Sequence, residues 1–162
     1  MKWILAASLA ALGLAGCVSY SSGDVILPLP QARAATASIG DIVLTGAPAT
    51  VSADFPAIFQ REVREQMDKC ARGGQPLRME VRIIELTGSN AAMAYLVGDS
   101  NVIRAQVALV EPGTGEKVAD YDVSRSVGGG GLIAAVAMAE AEEQMSAALA
   151  TDVCERAFGQ RP

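Results

Sequence analysis

The sequence predicts an α+β fold, a two-layer sandwich in which two helices pack on one face of a mostly antiparallel sheet. Three observations lead to this prediction. One segment has apolar residues at the spacing of an amphipathic helix, three later segments alternate as strands do, and a long helical segment comes last. In chain order the elements are β-α-β-β-β-α, and a sheet with one apolar face needs helices to cover that face.

The first strand is predicted at residues 39–45, where a run rich in β-branched residues ends at Gly46. An amphipathic helix follows over residues 54–71, with Asp54 as its cap and Pro56 in its first turn. The apolar stripe of this helix consists of Phe59, Val63, Met67 and Cys70.

Three strands come next. The first alternates apolar and charged residues over 77–83, which indicates a sheet with one face in water. The other two occupy residues 103–110 and 118–123. The turn-forming sequence at 112–115 joins them, so these two strands are predicted to form a hairpin.

Four glycines at 128–131 precede the last helix, which is predicted over residues 132–158. The apolar stripe of that helix is Met138, Ala141, Met145, Leu149 and Asp152. The glycines lack the Lys-Ser/Thr ending of a nucleotide loop. Three interpretations of them stay open: a flexible crossover, an anion site, or a loop that rearranges when a partner binds.

Composition limits the function. The 162 residues include 13 Lys and Arg, 18 Asp and Glu and no histidine, with a net charge of −5. Scattered basic residues in an acidic chain argue against nucleic acid as a partner. Without histidine the commonest general base and zinc ligand are missing, so we predict no catalytic residue, no metal site and no enzyme activity.

The N-terminus has the pattern of a secretory signal. Lys2 precedes an apolar run too short to span a membrane, and the run closes on Leu14, Ala15, Gly16 and Cys17. These four residues resemble the lipobox of the lipoprotein signal peptidase. The resemblance implies that Cys17 carries a diacylglycerol and an N-acyl chain, with no other cofactor. The alternative is an ordinary secretory peptide followed by an accidental cysteine.

Val18 follows that cysteine, where sorting in enteric bacteria uses Asp to retain lipoproteins in the inner membrane. We therefore expect an outer-membrane protein that faces the periplasm. The predicted divisions are a signal peptide at residues 1–16, a lipidated tether at residues 17–38 and a periplasmic domain at residues 39–162. Ser and Pro residues indicate the tether, in which Val25–Leu27 could form a short edge strand.

Two cysteines remain besides Cys17, namely Cys70 and Cys154, each near the C-terminal end of a predicted helix. In an oxidising compartment an even count favours a disulfide. Cys154 lies away from the stripe through Met145, however, so two buried thiols or a redox or metal role stay open as alternatives.

A loop at residues 87–101 carries apolar residues that either tuck under the sheet or form an exposed patch for a protein or an acyl chain. These residues are Met93, Tyr95, Leu96 and Val97. The acidic residues Glu140, Glu142 and Glu143 indicate a solvated helix face, against the alternative of metal ligands or acid–base groups.

The C-terminal half has a characteristic order of motifs: an apolar strand, an acidic residue with a Thr-Gly turn, a second strand, a glycine run and a final helix. These pieces are Ile103–Val110, Glu111–Gly115, Val118–Val123, residues 128–131 and Leu132 onward. In this order they resemble the C-terminal half of uncharacterised proteobacterial outer-membrane lipoproteins. The order of elements is similar to the fold of the TolB N-terminal domain, LptE and the curli secretion lipoprotein.

The resemblance implies a non-enzymatic accessory or structural partner in an envelope assembly, held on the membrane by its lipid. It fixes no oligomeric state. The alternative function is a periplasmic binding module for a lipid, a glycan or another envelope ligand. The matching motifs are turn and core residues, so they indicate a fold more than an activity.

Overall fold

The computed structural model describes residues 18–89, 96, 99–129 and 140–159. Within these residues one mixed sheet carries helices on one face. The strands are β1 (Val18–Ser22), β2 (Val25–Leu27), β3 (Ala37–Gly46), β4 (Gln75–Thr87), β5 (Asp99–Val110) and β6 (Lys117–Gly129). The helices are α1 (Gln31–Ala34), α2 (Phe55–Cys70) and α3 (Ala141–Phe158).

The sheet has the strand order β1-β6-β5-β4-β3, and β2 also pairs with β6. Only β3 and β4 run parallel, because α2 connects them and carries the chain back across the sheet. The other pairings are antiparallel. The predicted α+β class, with helices on a mostly antiparallel sheet, is confirmed.

The core lies between α2, α3 and the sheet face that they cover. Helix α2 buries the predicted stripe and also Phe55, while α3 buries Met145, Leu149 and Val153. The sheet contributes alternate residues of its three central strands, among them Met79, Val81, Val107, Leu109 and Tyr121. Each large apolar side chain removed from water stabilises the fold by about 1.5–3 kcal/mol before entropic costs.

The β5–β6 hairpin forms where the sequence predicts it. The amide of Glu111 donates to the carbonyl of Glu116 at 2.8 Å, and Gly115 turns the chain with a φ of 73°. Only glycine adopts that conformation readily, which explains its position in the turn.

Residues 18–38, which the sequence predicts as a tether, include strands that pair with the sheet. Strands β1 and β2 pair with β6, and Leu29 is buried against the core. The amide of Leu29 donates to the Tyr121 hydroxyl at 3.1 Å, and burial raises the pKa of Tyr121 above its ordinary 10.0. The short edge strand at Val25–Leu27 is confirmed. Among the described residues, the sheet therefore includes segments that precede Ile39, beginning with Val18.

The predicted crossover and helix start also need correction. Gly128 and Gly129 are strand residues of β6, and a Cβ on Gly128 would lie 3.1 Å from that of Ser100. Glycine therefore lets β5 and β6 approach closely at this position. Helix α3 begins at Ala141, because Glu140 has φ −102° and ψ 58°. The predicted first part of the helix, including Met138, lies outside the described residues.

Cys70 and Cys154 form a disulfide, with sulfur atoms 2.02 Å apart and Cα atoms 5.8 Å apart. It joins the last turn of α2 to α3. The expectation that Cys154 lies away from the buried side of its helix assumed a single narrow apolar stripe. Helix α3 instead buries Asp152, Val153 and Cys154 in succession. Because α3 contacts α2 as well as the sheet, its buried arc is wide enough to include the cysteine.

We predict that reducing this disulfide destabilises the domain by about 4 kcal/mol, because the bond closes a long loop in the unfolded chain. Urea denaturation with and without a reductant measures the loss. The double variant Cys70→Ala/Cys154→Ala is the control, and reductant should not change its midpoint. An equal midpoint for the oxidised and reduced native chain would contradict the prediction.

Candidate functional site

The helices leave one face of the sheet uncovered, and we call it the open face. Its centre consists of the outward residues of β4, β5 and β6: Arg78, Glu80, Arg82, Arg104, Gln106, Ala108, Asp120, Asp122 and Ser124. On the same face, Val43 of β3 pairs with Glu80 and Ser22 of β1 pairs with Ser124. The strand register places Arg82, Gln106 and Asp122 side by side, while the residues that alternate with these are buried. Polar alternation had predicted a face in water, and the structure places that face opposite both helices.

Charges on the open face are arranged as pairs of opposite sign. Arg78 lies 2.9 Å from Glu80, and Lys117 lies 2.7 Å from Asp120. Arg104 lies 3.7 Å from Glu85. Such partly exposed pairs stabilise a fold by roughly 0–1 kcal/mol each. Their effect here is a surface of mixed charge without one dominant sign.

An isoleucine lies in the middle of this charged surface. The register of β4 against β5 shifts between Ile83 and Glu85, and the extra residue, Ile84, is 52% exposed on the open face. A β-bulge of this kind re-aims a side chain. Sequence analysis did not single out Ile84. The sequence signal for its exposure was the pair Ile83 and Ile84, where the alternation of apolar and charged residues in β4 breaks.

Two shallow grooves flank Ile84 and its neighbours. One, of about 420 Å³, includes Ile84, Arg104, Asp122 and Asp24 among its lining residues. The second, of about 290 Å³, lies between Ile26 and the charged residues of the central strands. Both are open to solvent, so they suit a broad contact better than the enclosure of a small apolar molecule.

No trio of Cys, Asp and Glu residues in the described ranges is close enough to hold a metal ion. The acidic residues of α3 instead contact the α2 region. Glu142 accepts from the amide and hydroxyl of Ser52 at 2.6 Å, and Glu143 pairs with Arg61 at 2.7 Å. Hydrogen bonds to Glu62 and then Glu143 raise the pKa of Arg61.

A buried charge cluster connects β1 to α3. The carboxylate of Asp152 is 2% exposed, accepts from Arg156 Nε at 2.6 Å and lies 3.5 Å from Arg125. The Ser21 hydroxyl donates to the same carboxylate, and Arg156 donates to the Ser22 carbonyl at 3.1 Å. These bonds are directed to the chain's own backbone and side chains, so the cluster holds β1 in place. Sequence analysis had placed Asp152 on an apolar stripe and assigned it no role.

The two edges of the sheet differ. Along β3, the guanidinium of Arg64 donates to the carbonyls of Ile39 and Gly40, the latter at 2.7 Å. Gln60 donates to the Ile42 carbonyl at 3.2 Å. Side chains of α2 therefore occupy backbone groups that another strand would need, which is one way in which proteins block edge pairing. Along β1 and β2, by contrast, the edge carries exposed apolar side chains.

Several predicted site residues lie outside the described part of the chain. They are Leu14, Ala15, Gly16, Cys17, Met93, Tyr95 and Val97. Leu96 is described and is 71% exposed, so this residue of the loop does not tuck under the sheet. No helix among the described residues has both the length and the apolar character needed to cross a membrane.

No protein-family model matches this chain, and no curated protein matches it. Among solved structures it is similar to the PelC dodecamer from Paraburkholderia phytofirmans, with a TM-score of 0.48 and 10% identity over 88% of this chain and 99% of that chain. A single-residue variant of that dodecamer gives a TM-score of 0.43 and 12% identity over 88% and 98%. Similarity at this level carries no conclusion about function or assembly. The resemblance to proteobacterial lipoproteins stays a prediction.

We predict that Asp152→Ala destabilises the domain by about 3 kcal/mol, because two partly buried guanidinium groups, those of Arg125 and Arg156, lose their counter-charge. The amides of β1 should also exchange hydrogen faster. Asp68→Ala is the control, since Asp68 is exposed and its ion pair with Arg64 contributes little. Urea denaturation and hydrogen exchange measure both effects. Equal losses in the two variants would contradict a structural role for the cluster.

Proposed function

We propose that this chain is a non-enzymatic lipoprotein of the outer membrane, anchored by lipid on Cys17 and facing the periplasm. We further propose that it is an accessory or structural partner in an envelope assembly. The sequence at residues 14–17 supports the anchor. The Cys70–Cys154 disulfide supports an oxidising compartment, because such bonds are rare in the cytosol of most organisms.

The open face is the observation that carries the partner role. It combines an exposed apolar centre at Ile84 with a rim of charged and amide side chains. Protein interfaces have this arrangement, with an apolar anchor at the centre and polar residues around it. The backbone beneath the face is rigid, because β4, β5 and β6 pair along most of their lengths. A rigid surface loses little conformational entropy on binding.

The second candidate is a binding module for a glycan or another polar envelope ligand. The groove beside Ile84 favours it, since Asp24, Arg104 and Asp122 offer hydrogen-bonding groups along one depression. A polar ligand of several linked units would fit an open groove better than a closed pocket would. A lipid acyl chain fits less well, because the groove lining is charged.

We predict that the chain incorporates labelled palmitate in cells and that Cys17→Ser abolishes incorporation. The reason is that only the thiol at position 17 can accept the diacylglycerol. The variant Val18→Asp is a matched sorting control, which should keep the label and move to the inner membrane in an enteric host. Intact-mass measurement and membrane fractionation give the result. A mature chain that begins elsewhere, or that carries no acyl group, would overturn the anchor.

We predict that a photo-crosslinking residue at position 84 captures a discrete envelope protein in intact cells. The same residue at Glu65, on the solvent side of α2 and 61% exposed, is the control and should capture none. Ile84→Arg should weaken the complex roughly thirty-fold, because a central interface residue contributes about 2 kcal/mol. Crosslinks to a glycan or lipid alone would favour the second candidate. Equal capture from both positions would contradict the proposal.

A further inference from the structure

Exposed apolar residues are concentrated at the start of the domain. Eight large apolar side chains are markedly exposed among the described residues, and five of these belong to β1 and β2. The five are Val18 at 69%, Tyr20 at 66%, Val25 at 48%, Ile26 at 57% and Leu27 at 40% exposure. A folded domain does not usually leave so many apolar side chains in water along a single edge.

The position of this edge in the chain suggests what covers it. Strand β1 begins at Val18, so Cys17 directly precedes the first paired residue. One residue spans only about 3.5 Å. Any lipid on Cys17 would therefore start beside β1, with no flexible linker between the lipid and the strand.

The strand next to the anchor is held firmly. All five residues of β1 pair with β6, from Val18 opposite Gly128 to Ser22 opposite Ser124. The Ser21 hydroxyl also donates to Asp152. A lipid attached at the preceding residue consequently fixes the height of the whole β1–β2 edge above the membrane.

We infer that the β1–β2 edge lies against the lipid headgroups of the membrane that holds the anchor. The inference rests on the proposed lipidation of Cys17 and adds an orientation to it. Tyr20 suits the headgroup region, since an aromatic ring with a hydroxyl is favoured where apolar and wet surroundings meet. The aliphatic side chains of β2 lose contact with water there. The register pairs Ser22 with the open-face residue Ser124 and Tyr20 with Ser126, so Val18 and Tyr20 leave the sheet on the side of the open face. The sheet therefore meets the membrane with the β1 end of that face, and β4 with Ile84 stays above the surface.

The contact is apolar rather than electrostatic. Residues 18–27 contain no Lys or Arg, and Asp24 is their one charged residue. Attraction to anionic lipids requires clustered basic residues and weakens with salt. The edge contact is therefore expected to be insensitive to salt.

Tryptophan fluorescence tests the orientation in the full, processed chain. The sequence has one tryptophan, Trp3, which the proposed processing removes. Single-tryptophan variants Tyr20→Trp and Val43→Trp are placed in vesicles of phosphatidylethanolamine and phosphatidylglycerol brominated near the headgroup. Tyr20→Trp should lose at least half of its fluorescence, at low and high salt alike. Val43→Trp should be unchanged, because β3 lies four strand spacings away, roughly 19 Å.

Ile84→Trp is the control for a sheet that lies flat on the membrane. Quenching of Ile84→Trp as strong as that of Tyr20→Trp would overturn the edge orientation. A chain that is bound to vesicles but shows no quenching at position 20 would overturn the inference and leave lipidation standing. Shielding at position 20 without bromine dependence, together with dimers in solution, would assign the edge to a second copy. A chain that stays in solution without acyl groups would overturn the proposed anchor as well.

Discussion

The rest of the structure depends on β6 pairing with strands on both of its sides. Strand β5 runs along one side, and β1 and β2 share the other. Because β6 is central, the first residues of the domain are fixed to a strand that occurs a hundred residues later in the chain. A sheet completed in this way has one apolar face, and α2 and α3 must cover it.

Because α2 and α3 cover one face of the sheet, the opposite face is exposed to solvent. Both helices lie on the same side and are joined by the Cys70–Cys154 disulfide, so neither can reach the open face. Side chains of α2 also occupy the backbone of the β3 edge. Within the part of the sheet that the structure describes, the surfaces left for interaction are therefore the open face with Ile84 and the β1–β2 edge.

These two surfaces have different chemistry and suit different neighbours. The edge is aliphatic with one tyrosine and follows directly on Cys17. The open face consists mainly of paired charges, with the apolar side chains of Ile84 and Val43 exposed among them. An anchor at the edge and a partner on the face would work together, because a sheet that stands on its β1–β2 edge keeps β4, with Ile84, above the membrane surface. The edge and the open face have separate roles in this proposal because β1 is paired with β6. A flexible tether at residues 18–22 would not hold the edge at the membrane.

The sequence by itself determined the element types wherever local periodicity is strong, as in the stripe of α2 and the alternation from Leu77 to Ile83. It also determined the hairpin turn at Gly115, because turn chemistry is local. Only the tertiary structure decided that residues 18–22 join the sheet, that Cys154 reaches Cys70 and that Ile84 faces outward. Each of these depends on a partner distant in the chain, namely β6, α2 and β5, and periodicity carries no information about such partners. The proposal that Cys17 carries a lipid came from the sequence alone, while the surface that such a lipid would bring to the membrane came from the pairing of β1.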